Sequence, residues 1–333
     1  MTTSCQPSPT RFPEVGEYLC AKRAMVNGAL EGILAGNRTS HDDLLHSSMR
    51  YSLLSGGKRI RPILTLAVAE FLGVSAELAL QAACAAELIH CASLMLDDLP
   101  CMDNMSIRRG RHSNHLVFGE DVTTLSAINL LTLAYQALLS YASGDPTLAY
   151  SLLRAMNDAV GADGLIGGQI GDLHPEQLPR DYGVFHTVYE RKTGRLFSFA
   201  VESGARIGGA STAEFDCLAS YAKSLGLVFQ ICDDILDSNG DPKIMGKEIA
   251  MDEGKQTLPK FTGLESSMCM ARGLVEFAAS QLASFGDRAS LLVQVPWFVF
   301  EQVPGVGGPV PEAAHNHAAP IVFSNHAAAG GQF

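Results

Sequence analysis

From Leu78 to Leu96 a run of small and apolar side chains is broken only by Gln81, Glu87, His90 and Ser93, and it ends on the paired acids Asp97 and Asp98. A helix that is apolar on nearly every side must be surrounded, by lipid or by protein. The run is almost long enough to span a bilayer, but its polar interruptions argue against that. The expectation is therefore a central helix that delivers two carboxylates to the rim of a deep apolar interior. This confines the chain to folds in which several helices wrap around one.

The surrounding helices are legible as apolar residues at helical spacing in Tyr18 to Leu34, Leu44 to Leu54, Ile63 to Leu72, Thr123 to Tyr141 and Phe215 to Asp237. Alternating strand patterns are nearly missing. Glycine and proline fall between the runs, at Gly56-Gly57, Gly73, Pro100, Gly144-Asp145-Pro146, Gly208-Gly209 and Gly240-Asp241-Pro242. The fold class is all-α, a helical bundle. With 333 residues, 47% of them hydrophobic, the chain has enough material for a large core. We read one domain over residues 1–302. From about Val303 the composition turns to Gly, Pro, Ala, His and Asn, so 303–333 reads as a disordered tail with no core of its own.

The net charge of -11 weighs against a nucleic-acid partner, which needs clustered positive charge. Eight cysteines show no C-x-x-C pair and no regular framework, which points to reduced thiols. Cys84 and Cys91 share one helix face and read as packing residues. No charged region followed by an apolar one opens the chain. A cytoplasmic protein without a transmembrane segment is the simpler reading, with a plastid location left open.

Two acidic clusters stand out. Asp233 and Asp237 are one helical turn apart and share a face with Gln230, flanked by the apolar run Leu225 to Phe229. Polar groups stacked in such a run are costly to bury without a partner. In the first cluster Asp103 follows Asp97 by six positions, which on an ideal helix leaves them roughly 240° apart. Pro100 resolves the difficulty: it cannot continue the helix, so Leu99 to Met102 should bulge and return Asp103 beside Asp97. Carboxylates that converge repel unless cations lie between them, and an all-oxygen donor set suits magnesium shared with phosphate oxygens. Basic runs flank the cluster, Arg108-Arg109-Gly110-Arg111 after it and Gly56-Gly57-Lys58-Arg59-Ile60-Arg61-Pro62 before it. Arginine forks suit phosphate, and paired glycines allow close backbone approach. A Walker-type phosphate loop is rejected, because Gly240 to Glu248 has the wrong glycine spacing and Glu where Ser or Thr is needed.

These residues resemble the trans-isoprenyl diphosphate synthases, specifically the geranylgeranyl diphosphate synthases of bacterial carotenoid-pathway and plant type. The resemblance runs from about Ser48 to Phe261 and rests on GGKRIRP at 56 to 62, DDLPCMDN at 97 to 104, RRG at 108 to 110 and GGQIGDL at 167 to 173. It continues through RKTGRLF at 191 to 197, GLVFQICDDILD at 226 to 237, and Gly246, Lys247, Asp252 and Lys255. It implies an isoprenoid synthase-type bundle around a deep apolar pocket, working as a magnesium-dependent homodimer with about three ions per site. It implies that Asp97 and Asp103, with Asp98 assisting, hold magnesium on one side and Asp233 and Asp237 on the other. Asp234 and Lys192 complete the catalytic set. Arg108, Lys192, Thr193, Gln230 and Lys247 would contact an allylic diphosphate, and Lys58, Arg61, His90 and Arg109 isopentenyl diphosphate.

The implied reaction condenses isopentenyl diphosphate with dimethylallyl, geranyl or farnesyl diphosphate and releases diphosphate. Small residues at Ala92 and Ser93, five and four before Asp97, leave room for a twenty-carbon product, with Met95 as a neighbour able to shorten the pocket. A farnesyl or geranyl diphosphate synthase, a non-catalytic subunit of a heteromeric prenyl synthase and a class I terpene cyclase are the alternatives. The intact pair of aspartate clusters weighs against the last two.

Overall fold

The computed structural model describes residues 12–37, 43–179, 181–239 and 257–303. Lys247, with Gly246, Asp252 and Lys255, and the tail beyond Val303 lie outside them. The runs of helical spacing become α1 (Pro13–Gly36), α2 (Asp43–Leu53), α3 (Ile60–Phe71), α4 (Ala76–Asp97), α6 (Glu120–Leu139) and α11 (Thr212–Asn239), with ends shifted by a few residues. Between them stand α5 (Asn114–Phe118), α7 (Pro146–Val160), α8 (Leu165–Leu173), α9 (Tyr182–Tyr189) and α10 (Arg195–Ile207). Three more helices, Leu258–Thr262, Leu264–Gln281 and Ser290–Phe300, follow α11. The break at Gly144-Asp145-Pro146 is a helix start: Pro146 occupies the first turn, and the Asp145 carboxylate accepts from the amides of Thr147 and Leu148 at 3.0 and 2.9 Å. An N-cap of this kind satisfies amides that have no partner within the helix and is worth about 1 kcal/mol.

Helix α4 is the surrounded helix that its composition demands. Ala79, Ala82, Ala83, Cys84, Ala85, Ala86 and Leu88 are fully buried along it, and α3, α6 and α10 pack around it. Although α4 is long and apolar enough to cross a membrane, most of it is buried inside the protein. Its alanines let the neighbouring helices approach closely.

Two apolar cores flank this arrangement. One joins α1, α2, α4, α6 and α7 and contains Cys84 and Cys91, whose thiols burial pushes up to about 12, out of the reactive range. The other joins α3, α10, α11 and the helices Leu264–Gln281 and Ser290–Phe300. Helix α10 serves both, with Phe199 in the first and Phe197 in the second. It is tied to α3 by a bond from the buried Thr65 hydroxyl to the Ala200 carbonyl at 2.9 Å. These ties hold the ends of α3, α4, α8, α10 and α11 around one opening.

Candidate active site

A cavity of about 450 Å³ lies at that opening. Asp97 and Asp103 come to it from the end of α4, and Asp233, Asp234 and Asp237 from α11. Lys58, Arg61, His90, Arg108, Arg109, Lys192, Thr193 and Gln230 also line it. Of the site residues singled out from the sequence, all but Asp98, Ala92, Met95 and the undescribed Lys247 are brought to one space.

The first cluster is assembled by the break at Pro100. Helix α4 stops at Asp97, the amide of Met102 bonds back to Leu99 at 2.9 Å, and that of Asn104 does so at 3.1 Å. The amide of Asp103 donates to the carbonyl of Asp97 at 2.9 Å. Asp103 thus returns beside Asp97, as the sequence predicts. Asn104 takes a left-handed φ of 49°, which asparagine tolerates better than most residues. The chain then forms a minimal hairpin, Ile107–Arg108 against Arg111–His112. Arg109 and Gly110 make its turn at φ 54° and 72°, the sense that matches strand twist in two-residue loops.

Asp98 is placed differently from Asp97 and Asp103. One residue beyond Asp97 on the helix, it turns by roughly 100° away from the cavity and is buried under the hairpin. There Arg108 donates to its Oδ1 through Nε at 3.0 Å and Nη2 at 2.5 Å. Burial raises the Asp98 carboxyl above its ordinary range, with Arg108 opposing. Asp98 therefore holds an arginine, and the cavity's first cluster is Asp97 with Asp103.

A second basic group faces α3. Arg109 donates to the Gly56 carbonyl at 2.8 Å, and its guanidinium lies so close over Gly57 that a Cβ there would stand 2.9 Å from Cζ. Arg61 stacks on the ring of Phe197 at 4.4 Å, and burial lowers its pKa to about 10 against the opposing charges of Glu87 and Asp233. Buried Glu87 pairs with Arg59 and stands 3.7 Å from Arg109. Arg59, at a left-handed φ of 55°, also donates to Asn27 at 3.0 Å. His90 Nε2 is 3.4 Å from Arg61 Nη1. Burial, then Arg61 and Arg109, holds its pKa well below the ordinary value, so it is neutral and suited to accept from the arginine.

The second cluster splits by role. Asp233, Asp234 and Asp237 all line the cavity, but Asp234 is buried, and that burial pushes its pKa up to about 7. Tyr189 donates to its Oδ2 and Gln230 to its Oδ1 at 2.8 Å. The Gln230 oxygen accepts from the Thr193 hydroxyl at 2.5 Å, and Lys192 pairs with Asp172 at 2.5 Å. Lys192 and Thr193 sit on a π-helical turn, Glu190–Gly194, wider than an α-turn and of a kind that often marks functional sites. Glycines let that turn nestle between helices: a Cβ on Gly168 would lie 2.2 Å from the Lys192 nitrogen, and one on Gly226 2.7 Å from the Gly194 Cα.

Leu94, Leu165, Leu196 and Phe229 give the cavity an apolar wall, and Ser93 lines it as well. Ala92 and Met95 are not on it: both are buried in the core shared with α6. On α4 the face toward the cavity and the face toward the core are less than a turn apart, so adjacent residues part company. Glu87, Asp172, Gln169 and Tyr189 join the cavity although sequence reasoning gave them no role. Glu87 left a trace as a charge inside the apolar run, and Gln169 and Asp172 lie within the GGQIGDL run, whereas Tyr189 left none.

Among the described residues no group of three His, Cys, Asp or Glu side chains converges tightly enough to hold a metal ion unaided. A magnesium ion fits nonetheless, since it binds through one or two carboxylates plus substrate phosphates and waters. Four hard oxygen donors in two pairs, facing arginines and lysines, provide for that mode.

A cavity among helices that joins an apolar wall to carboxylates and cations suits an enzyme for apolar chains that carry a diphosphate head. The polyprenyl synthetase family matches residues 42–282, and the chain belongs to that family. It is 39% identical to the heterodimeric geranylgeranyl pyrophosphate synthase large subunit 1, chloroplastic, of Arabidopsis thaliana, over 89% of this chain and 82% of the relative. It is likewise 39% identical to the geranylgeranyl diphosphate synthase of Cyanophora paradoxa, over 88% of this chain and 98% of the relative. The crystal structure of an FPP/GFPP synthase from Zymomonas mobilis superposes with a TM-score of 0.75 at 34% identity, covering 85% of this chain and 98% of that one.

Proposed function

We propose that the protein condenses isopentenyl diphosphate with an allylic diphosphate to give geranylgeranyl diphosphate. The observation that carries this reading is the joint placement of two carboxylate pairs and two basic groups around one cavity with an apolar wall. Magnesium, when bound, would neutralise the departing diphosphate, with Asp97 and Asp103 holding it on one side and Asp233 and Asp237 on the other, about three ions in all. Lys192, Thr193, Gln230, Arg108 and Lys247 grip the allylic diphosphate. Lys58, Arg61, His90 and Arg109 grip isopentenyl diphosphate, with Glu87 and Asp98 holding the arginines in place. Bound so, the allylic carbon–oxygen bond ionises, the isopentenyl double bond attacks, and a proton passes to the released diphosphate. No side chain has to act as a nucleophile.

A twenty-carbon product is supported by Ser93, a small side chain that lines the cavity along with Leu165 and Leu196. The homodimer is supported by α6, where Leu125, Ile128, Tyr135 and Leu139 form an exposed apolar seam, a pattern that asks for a partner surface. A soluble compartment, cytoplasm or plastid, is the reading that the burial of α4 supports. The test is elongation of dimethylallyl, geranyl or farnesyl diphosphate with labelled isopentenyl diphosphate and magnesium, sizing the dephosphorylated products. A C20 alcohol is expected. No elongation from any primer defeats the proposal, and a hydrocarbon formed from geranylgeranyl diphosphate alone would indicate a cyclase.

A further inference from the structure

Tyr189 belongs to none of the motifs, yet its hydroxyl sits at the centre of a hydrogen-bond chain that ends at the cavity. It closes α9, directly before the π-helical turn that carries Lys192 and Thr193. Its ring is buried and packs on Phe185 at 4.4 Å between centroids, and Phe185 stacks in turn near Phe261 at 6.4 Å. The hydroxyl donates to Asp234 Oδ2 and accepts the amide of Leu258 at 3.1 Å. One residue thus joins the end of α9, the second aspartate cluster and the helix Leu258–Thr262.

The direction of each bond decides what the cavity presents. Asp234 is an acceptor toward Tyr189, so its other oxygen faces Gln230, which must turn its amide nitrogen that way, at 2.8 Å. With Asp234 ionised, a flipped amide would set oxygen against oxygen. The Gln230 oxygen is then committed to Thr193 at 2.5 Å, and the second amide hydrogen of Gln230 remains for a phosphate oxygen. Without the phenol, Asp234 Oδ2 loses its short bond and keeps the longer one from the Leu258 amide at 3.4 Å, so the carboxylate plane, and with it the orientation of Gln230, is less firmly fixed. Both groups would still line the cavity, but as a mixture of arrangements.

We propose that Tyr189 is a positioning residue for the allylic diphosphate, acting through Asp234 and Gln230 on Thr193. This rests on the prenyltransferase reading of the same site. The test is Tyr189→Phe, which removes one oxygen and leaves the ring packing, assayed with both substrates varied. The expected result is an allylic KM raised about tenfold, with kcat and the KM for isopentenyl diphosphate within about twofold of the parent. Thr193→Val should cost less in the Tyr189→Phe background than alone, because the two residues share one chain. Asp234→Asn, which turns an acceptor of the chain into a donor, gives a second route to the same loss should Tyr189→Phe not fold. An unchanged allylic KM, or equal rises for both substrates, overturns the inference. If the parent elongates no primer, the proposed function fails. Calorimetric binding of farnesyl thiolodiphosphate with magnesium, parent against Tyr189→Phe, then decides the inference alone: about tenfold weaker binding supports it and equal binding overturns it.

Discussion

At the scale of single residues, the site separates side chains that face substrate from side chains that hold other side chains. Asp97→Ala or Asp233→Ala is expected to lower turnover by about 10³-fold or more, since a metal-binding carboxylate acts on the charge developed in the transition state. The unfolding temperature should stay within a few degrees, and steady-state assays with melting curves check both. His90 offers a pH test. Its folded pKa lies below the ordinary 6.5 because burial and then Arg61 disfavour the charged ring. The unfolded chain therefore binds more protons, and the stability present above about pH 6.5 falls as pH drops toward the lowered value, by about 1 kcal/mol per unit. Denaturant unfolding between pH 7.5 and 5.5 should show a steeper loss in the parent than in His90→Gln. The aspartates, arginines and lysines of the cavity were legible because charge in an apolar sequence is conspicuous. Tyr189 was not, since a tyrosine next to charged residues is indistinguishable from a surface residue until its partners are in place. Asp98 was legible as an acid, but its direction was not, because that depends on where α4 stops.

Elements carry the next layer of constraint. Proline cannot continue a helix, so the return of Asp103 to Asp97 could be reasoned from Pro100 alone, and the 2.9 Å bond between their backbones is that return. The π-helical turn had no such signal, because its register depends on what packs against it. The glycines around it explain how it fits. Gly168→Ala would press a methyl group into the Lys192 backbone, and the expected result is a loss of about 2 kcal/mol in stability together with a weakened grip on the allylic diphosphate. Unfolding in urea and the allylic KM measure the two effects, and no change in either would show that α8 can move aside. The helices α7, α8, α10 and Leu264–Gln281 were not singled out either, although α7 and α10 carry a clear apolar face.

For the whole molecule, the prediction with the widest reach concerns α6. If its exposed seam joins two copies, Leu125→Glu with Leu139→Glu should shift the sedimentation coefficient from dimer to monomer, whereas an unshifted dimer would place the interface elsewhere. Product length belongs to the same scale. Ser93→Phe should shorten the product to fifteen carbons or fewer, while Ala92→Phe, aimed into the core, should cost about 1–3 kcal/mol by overpacking before it alters any product. Chromatography of the prenyl alcohols and thermal melts separate the two. The burial of α4 bears on how such an enzyme diversifies over generations. Its small side chains are shared between a wall that measures the product and a scaffold that cannot spare volume, so only the few positions turned toward the cavity are open to drift. New product lengths are thereby reached through a narrow set of steps, and lineages starting from similar helices would be driven to repeat them.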